Sequence, residues 1–274
     1  MTGHRQSLVL ATKYSNSAPG ADPNAAGNQR KNMVQAVEAS LKRLGTDYID
    51  LYWQHIWDQM TPVDEVMRAF DDLVRSGKIL YAGISDAPAW WIAQGNTIAT
   101  LRGWTRFVGL QIEYSLIERT PERELLPMAQ ALGLGVTAWS PLAGGMLSGK
   151  YHGGDPKEGR YQNEMMKSFV PDRQRTDRIV AALQAVSRDA RVPPARMALA
   201  WLLQRPQPVI PIVGARKIAQ LTDNLAALDV KLSGEQLRVL DEASAISLGF
   251  PHEFYQREMV RTFAYGGLRD RILP

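Results

Sequence analysis

The 274-residue chain contains no cysteine. That excludes a disulfide framework, thiolate metal ligation and a cysteine nucleophile, and it accords with a reducing compartment. Histidine is scarce: His4, His55, His152 and His252 are far apart and none has the i, i+4 partner by which a helix offers two imidazoles to one metal, so no metal centre is expected. No apolar run approaches the ~18 residues of a membrane-spanning helix, and the amino terminus lacks the apolar segment of a secretory signal, so a soluble, cytoplasmic protein without a membrane partner is expected. A strong excess of one charge is also missing, with 32 Lys and Arg against 28 Asp and Glu and a formal net charge of +4. The basic residues are dispersed rather than striped. They leave no footprint for nucleic acid, and the surplus suits a solvated surface or a small anionic ligand.

What is present is length and apolar content, 45% of the residues, enough for a single large α/β domain over residues 1–274. Short β-branched runs alternate with longer helical patterns throughout, as βα units with a parallel sheet require. Six strands are predicted, over residues 7–13, 48–55, 79–85, 106–114, 135–141 and 209–215. Residue types mark the helix ends. Thr61-Pro62 offers an N-cap hydroxyl and a preset proline φ, Asp64 and Glu65 suit the positive end of the dipole, and Gly77 supplies a left-handed exit. Gly45 closes a helix running back to about Gln29, Thr120-Pro121 and Gly133 bracket another, and Pro193-Pro194 and Pro206 wall the apolar segment 197–203. Two less regular stretches, 15–28 and 151–172, follow strands, where the loops of a parallel barrel face its active site.

Several predicted strands stop on polar residues at the same end. Lys13, His55 and the pair Ser85-Asp86 each close an apolar run, and Gln111 is embedded in Val-Gly-Leu-Gln-Ile-Glu-Tyr. Singly, each could be an ordinary surface or hydrogen-bonded residue; at corresponding ends of successive strands they point into one mouth. Two other patterns are set aside. Gly144 to Lys150 reads GxxxxGK, but Tyr151 stands where a P-loop has its magnesium-binding Ser or Thr. Asp71-Asp72 falls on a helix rather than at strand ends, so a glycosidase carboxylate pair is not supported.

Three segments carry a family resemblance: Leu-Ala-Thr-Lys at 10–13, Leu-Lys-Arg-Leu-Gly-Thr-Asp-Tyr-Ile-Asp-Leu at 41–51, and Ser-Pro-Leu-Ala-Gly-Gly-Met-Leu-Ser-Gly-Lys-Tyr at 140–151. Together they resemble the aldo-keto reductase superfamily over nearly the whole chain, the second most of all the branch of microbial reductases and voltage-gated potassium channel β subunits. The resemblance implies an α/β fold of the (β/α)8 TIM-barrel family that binds NADP(H) and reduces aldehydes or ketones to alcohols. It assigns Lys13 and His55 to a catalytic set in which a lysine lowers the pKa of a proton-donating tyrosine, an aspartate holds the lysine and a histidine orients the carbonyl. Ser85, Asp86 and Gln111 match the residues that hold the nicotinamide carboxamide, and Trp139 matches the stacking aromatic, with core packing as its alternative. Ser140, Pro141, Leu142, Ala143 and Gly144 match the pyrophosphate loop, and Lys150 and Arg160 match basic contacts beyond it. Gly214 and Arg216 at a helix start suit a 2′-phosphate, and Gln220, Asp223 and Asn224 suit adenine and ribose, which favours NADP(H) over NAD(H). Asp86 departs from the family's asparagine: a carboxylate accepts from the carboxamide NH2 but cannot donate to its oxygen.

The family's tyrosine and aspartate normally precede the Lys13 strand, where twelve residues stand. Tyr14 is a poor substitute because neighbours on a strand point to opposite faces, and Tyr52, an odd number of residues from His55, is expected to face away as well. At ~30 residues per βα unit in a ~250-residue barrel, an N-terminally truncated barrel of about six parallel strands is expected. Its edge strands, 7–13 and 209–215, would expose backbone groups and side chains such as Val9 and Ile212, favouring a homo-oligomer or poor solubility. Three readings follow: a reductase of a small carbonyl substrate, a catalytically inactive NADP(H)-binding or regulatory protein, or a relic that folds poorly. Trp53, Trp57, Phe250 and Phe254 are candidates for an apolar pocket, and the substrate itself is not legible.

Overall fold

A computed structural model describes residues 3–17, 22–149 and 172–272. Six parallel strands lie in sequence order, each pairing with the next: β1 (Ala11–Tyr14), β2 (Ile49–Gln54), β3 (Ile79–Ser85), β4 (Phe107–Glu113), β5 (Gly135–Trp139) and β6 (Val209–Pro211). Helices α1 (Arg30–Leu44), α2 (Val63–Arg75), α3 (Ala89–Arg102) and α4 (Leu125–Leu132) connect β1 to β5. This is the sequential parallel order of a TIM-barrel-type α/β sheet. Among the described residues the sheet is open, β1 pairing with β2 alone and β6 with β5 alone.

One face of the sheet belongs to the helices. α2 buries Val63, Val66, Met67, Phe70 and Leu73, an i, i+3, i+4, i+7 stripe, and α1 buries Met33 and Val37. Against them lies a file of rings. Tyr14 stacks on Tyr52 at 5.5 Å, Tyr52 meets Phe70 edge-on at 6.3 Å, Phe70 meets Phe107 at 5.6 Å, and Phe107 lies on Trp91 at 6.4 Å. Burying one such side chain contributes ~1.5–3 kcal/mol, so this layer, more than helix propensity, holds α1 to α3 on the strands.

The other face is organised by Trp53. Its ring covers Gly83 and Gly109, where a Cβ would lie 2.4 and 2.9 Å from ring carbons, so neither position admits a side chain while Trp53 stays in place. Between β3 and β4 the register gains one residue: Ala82 pairs with Phe107 but Gly83 with Gly109, leaving Val108 as a bulge. Asn96 of α3 takes up the backbone there, donating to Phe107 O at 3.1 Å and accepting from Phe107 N at 2.8 Å. Phe107 can therefore face the helices while Gly109 and Gln111 face the other way.

The strand bounds differ from expectation at both edges. Arg5–Ser7 forms a 3-10 turn rather than strand, because Arg5 donates to Tyr48 O at 2.9 Å and pairs with Asp50 at 2.7 Å. Leu10 gives its N–H to the Asp50 carboxylate at 2.9 Å, so β1 begins at Ala11 and runs one residue past Lys13. Val9 thus lies outside the strand, 80% exposed, and Ile212 lies beyond the end of β6, 42% exposed. Thr61 is not the cap of α2 either: its hydroxyl donates to Asp58 at 2.6 Å, and the helix starts behind Pro62. Gly45 does close α1 in the left-handed region, at φ 62°.

The chain divides into two units. The first comprises Met1–Glu113, Leu125–Pro141 and Leu202–Gly214, and the second Tyr114–Glu124, Leu142–Trp201 and Ala215–Pro274. The first holds the sheet and α1 to α4. The second holds α5 (Arg173–Ala190), most of α6 (Pro194–Leu203), α7 (Ile218–Leu225), α8 (Gly234–Ser244), α9 (His252–Tyr255) and α10 (Glu258–Tyr265), with α5 packed on α8. Within the second, the buried Arg119 guanidinium donates to Glu122 at 2.8 and 2.9 Å, to Ser244 Oγ at 2.8 Å and to Asp241 O at 3.0 Å. No helix among the described residues is long and apolar enough to cross a membrane.

Candidate functional site

The polar residues of the first unit converge at the carboxyl ends of β1 to β5. Lys13 is in register with Trp53, Ser85 with Gln111 and Gln111 with Thr137, while Trp139 ends β5. The Lys13 ammonium donates to Gln111 Oε1. Three inter-strand steps of ~4.8 Å separate β1 from β4, so this bond requires the face carrying both residues to be concave. Trp139 Nε1 donates to Asp86 Oδ1 at 3.0 Å. His55 follows β2 directly, donating its backbone N–H to Tyr14 O at 3.0 Å and Ser15 Oγ at 3.3 Å, with ring Nδ1 3.0 Å from Asn16 Nδ2.

The charges at this mouth act on one another. Burial holds Lys13 below the ordinary lysine value, and the Asp86 carboxylate partly offsets it. His55 is lowered by burial and then by the Lys13 charge, against the pull of Asp86. Burial raises Asp86, while the Trp139 N–H, Lys13, Ser85 and His55 draw it back. For His55 the balance favours the neutral imidazole. The Ser85 hydroxyl, fully buried, meets no partner in good hydrogen-bond geometry, although it is close enough to Asp86 to steady the carboxylate. Among the described residues, three other buried side-chain atoms share that condition, Tyr52 Oη, Gln54 Oε1 and Ser187 Oγ; Tyr52 and Gln54 alternate with Trp53 along β2, and Ser187 is on α5. A hydroxyl left in this state costs ~1–3 kcal/mol, which a bound polar group could recover. Asp86, Ser15 and Ser140 all turn corners after strands with positive φ, 47°, 107° and 50°, a strain that surrounding contacts must hold.

Behind His55 stands a polar knot that the residue pattern does not reveal. Asn28 Nδ2 donates to Ser15 Oγ and Ile56 O, each at 2.8 Å, and Oδ1 accepts from Gln54 Nε2 at 3.1 Å and Asp58 N at 2.7 Å. Its backbone N–H donates to Asp58 Oδ2 at 2.7 Å, and its carbonyl accepts from the Tyr14 hydroxyl at 3.2 Å. The knot ties the loop after β1 to the loop after β2. Its one sequence signal is Asp58-Gln-Met-Thr61, a turn in which Asp58 accepts from Met60 N, Thr61 N and Thr61 Oγ1 at 3.0, 2.9 and 2.6 Å.

The aromatic candidates divide. Tyr14 and Tyr52 are buried on the helix side, and burial raises both phenols far above their usual value, so neither shares Lys13's face. Trp53 is buried, and Trp57 meets Trp90 edge-on at 5.8 Å. Phe250, 84% exposed, pairs with Phe254 at 5.8 Å in the second unit. A surface cleft of about 470 Å³ at the exit of α1, lined by residues such as Glu38, Lys42 and Lys78, includes none of the candidate residues.

The remaining candidates fall in both units. Ser140 and Pro141 follow β5 in the first. Leu142 precedes a 3-10 stretch, Ala143–Ser148, in which Gly144 and Gly145 have φ of 61° and 104° and Leu142 O accepts from Gly145 N at 2.9 Å. Lys150 and Arg160 lie outside the described residues. Gly214 ends the first unit, and Arg216 is exposed just before α7. Gln220 Oε1 accepts from the backbone N–H of Arg216 at 2.9 Å and of Lys217 at 3.3 Å, and Asp223 pairs with Arg196 at 2.6 Å, so both side chains already have protein partners. Asn224 is half-buried in α7.

Comparison with known proteins gives one family. The Aldo/keto reductase family profile matches residues 1–245. Norsolorinic acid reductase stcV of Emericella nidulans is 38% identical over 257 residues, 92% of this chain and 64% of that protein. AAD10 of Saccharomyces cerevisiae, assigned by name to the aryl-alcohol dehydrogenases, is 33% identical over 91% of this chain and 89% of its own length. The uncharacterized oxidoreductase YrpG of Bacillus subtilis is 38% identical over 87% of this chain and 72% of its own. The chain thus spans just under two thirds of the length of stcV.

Proposed function

Because this chain belongs to the aldo/keto reductase family, we propose that it is an NADP(H)-dependent oxidoreductase of small aldehydes or ketones, with its reacting centre where Lys13, His55 and Asp86 meet. The supporting observation is the Ser85 hydroxyl, buried without a well-formed partner beside Gln111 and Asp86. A carboxamide bound there would find a hydroxyl in Ser85, an amide in Gln111 and an acceptor in Asp86, whose Oδ1 meanwhile holds the Trp139 indole. A reduced nicotinamide, when bound, supplies the hydride. His55 would donate a hydrogen bond to the carbonyl oxygen, and the Lys13 ammonium would stabilise the negative charge that develops on it. In the second unit, exposed Arg216 before α7 suits a 2′-phosphate.

A second reading is an NADP(H)-holding protein with little turnover. It is favoured by the placement of Tyr14 and Tyr52, whose phenols are on the helix side and unable to protonate an oxygen beside Lys13. Fluorescence titration with NADPH and NADH tests the shared premise. NADPH should bind about tenfold or more tightly than NADH, the scale of one charge-assisted contact, and Arg216→Ala should narrow that gap. Equal affinities in the unmutated chain would count against the cofactor assignment. Vigorous aldehyde reduction that is abolished by Tyr14→Phe would overturn the reading of the phenols.

A further inference from the structure

Asn16 has no role in the site described so far, yet its amide meets the ring of His55. We propose that Asn16 is a positioning residue that sets the tautomer of His55: its Nδ2–H donates to Nδ1, 3.0 Å away, so the single ring proton sits on Nε2 and is the one offered to a carbonyl oxygen. The inference deepens the functional reading above and rests on it for the identity of the acceptor.

A neutral imidazole has one N–H and one lone pair, and the partner at one nitrogen decides which the other presents. An amide NH2 can only donate, so Nδ1 must accept from it. The neutral state is the relevant one. The charged groups acting on the ring are Lys13, from β1, and Asp86, from the turn after β3, and burial together with Lys13 outweighs Asp86.

The contact is also held from both sides, although Asn16 itself is exposed. The preceding residue, Ser15, has a φ of 107°, its carbonyl accepts from Gly27 N at 2.9 Å, and its hydroxyl takes both Asn28 Nδ2 at 2.8 Å and His55 N at 3.3 Å. Asn16 therefore follows a pinned residue, and His55 has its own backbone tied to that same residue. The knot thus acts on the ring through Asn16, and the loop after β1 dictates what the end of β2 can donate.

The test is the ring-nitrogen NMR pattern of the 15N-labelled full chain above neutral pH, with His55 assigned by the loss of its signals in His55→Gln. The unmutated chain should show His55 protonated at Nε2. Asn16→Asp, close to isosteric, replaces the donor by a carboxylate, so the proton should move to Nδ1 and the ring's titration midpoint should rise; Asn16→Leu should leave a mixture. A role limited to loop stability would move neither tautomer nor midpoint. An Nδ1–H ring in the unmutated chain, or an Asn16→Asp ring unchanged in both respects, overturns the proposal. The measurement needs neither cofactor nor substrate, so it separates from the functional reading: absent NADPH binding with the expected tautomer would remove the function and leave the Asn16 assignment standing.

Discussion

The Asn28 knot and the Lys13–Asp86 mouth lie at the same end of the same sheet, but their polar atoms fare differently. Every donor and acceptor of the Asn28 side chain has a partner between 2.7 and 3.1 Å, and the residue is fully buried. At the mouth a buried hydroxyl lacks a proper partner, a carboxylate is held above its usual range, and a lysine and a histidine are held below theirs. The first cluster gains stability from full satisfaction. The second keeps groups in states that a ligand could improve, the pattern expected where a protein binds or reacts rather than merely folds.

Substitutions on the two sides of this contrast should behave as opposites. The largest effect belongs to the knot: Asn28→Leu takes the acceptor from Asp58 N and leaves Ser15 Oγ, Ile56 O and Gln54 Nε2 only the longer bonds from His55 N to Ser15 Oγ at 3.3 Å and from Gln54 Nε2 to Ile56 O at 3.4 Å, and should cost on the order of 3–5 kcal/mol in urea unfolding. A loss below about 1 kcal/mol would mean that water or a rearranged loop serves these groups equally well. At the mouth, Ser85→Ala should raise the unfolding midpoint or leave it unchanged, since it removes a buried hydroxyl without a well-formed bond, yet weaken NADPH binding about tenfold, the value of one hydrogen bond of ~1.4 kcal/mol. Destabilisation with unaltered affinity would place Ser85 in the structural class.

The smallest effect is a pH dependence. His55 has a folded pKa below its unfolded one, so its contribution to stability is fully present above the unfolded value of about 6.5 and is lost as pH falls through the folded value. His55→Gln should flatten that acid limb by a fraction of a kcal/mol, because the ring is only half-buried and its interactions are screened. Parallel unfolding curves for the two proteins across this range would show that the ring is not held neutral.

The strand cores were legible because parallel strands covered by helices read as short apolar runs, and β3 coincides with its predicted residues, 79–85. The edges were not. The segment before Ala11 has the apolar content of a strand, but Arg5 and Asp50 capture its backbone through side chains, and side-chain capture leaves no periodic trace. Thr61-Pro62 had the form of a helix cap, but the nearby Asp58 competes for the threonine hydroxyl. At the site, Lys13, His55, Ser85 and Asp86 were visible as polar residues closing apolar runs and Gln111 as one embedded in such a run, whereas Trp139 was singled out only by the family resemblance. Their gathering at one mouth is geometric, whereas their roles remain the proposal made above. Asn16 and Asn28 sit in an irregular loop where an asparagine is unremarkable, and only the three-dimensional path of that loop distinguishes them.

The extra residue at Val108 gives β4 a phase of its own. Side chains alternate along a strand, so Phe107 and Gly109, two residues apart, face opposite ways only because Val108 is taken up outside the ladder. Were Val108 instead paired with Gly83 in a regular ladder, Leu110 would take the place beside Ser85 and Gln111 would turn toward α3, with the composition of the site unchanged. The side chain of Val108 matters little to this outcome, since it is exposed; its exclusion from the ladder is what keeps Gln111 on the face of the mouth. Deletion of Val108 would set Gly109 directly after Phe107 with the partners both already have, so Gln111 should keep its place beside Ser85.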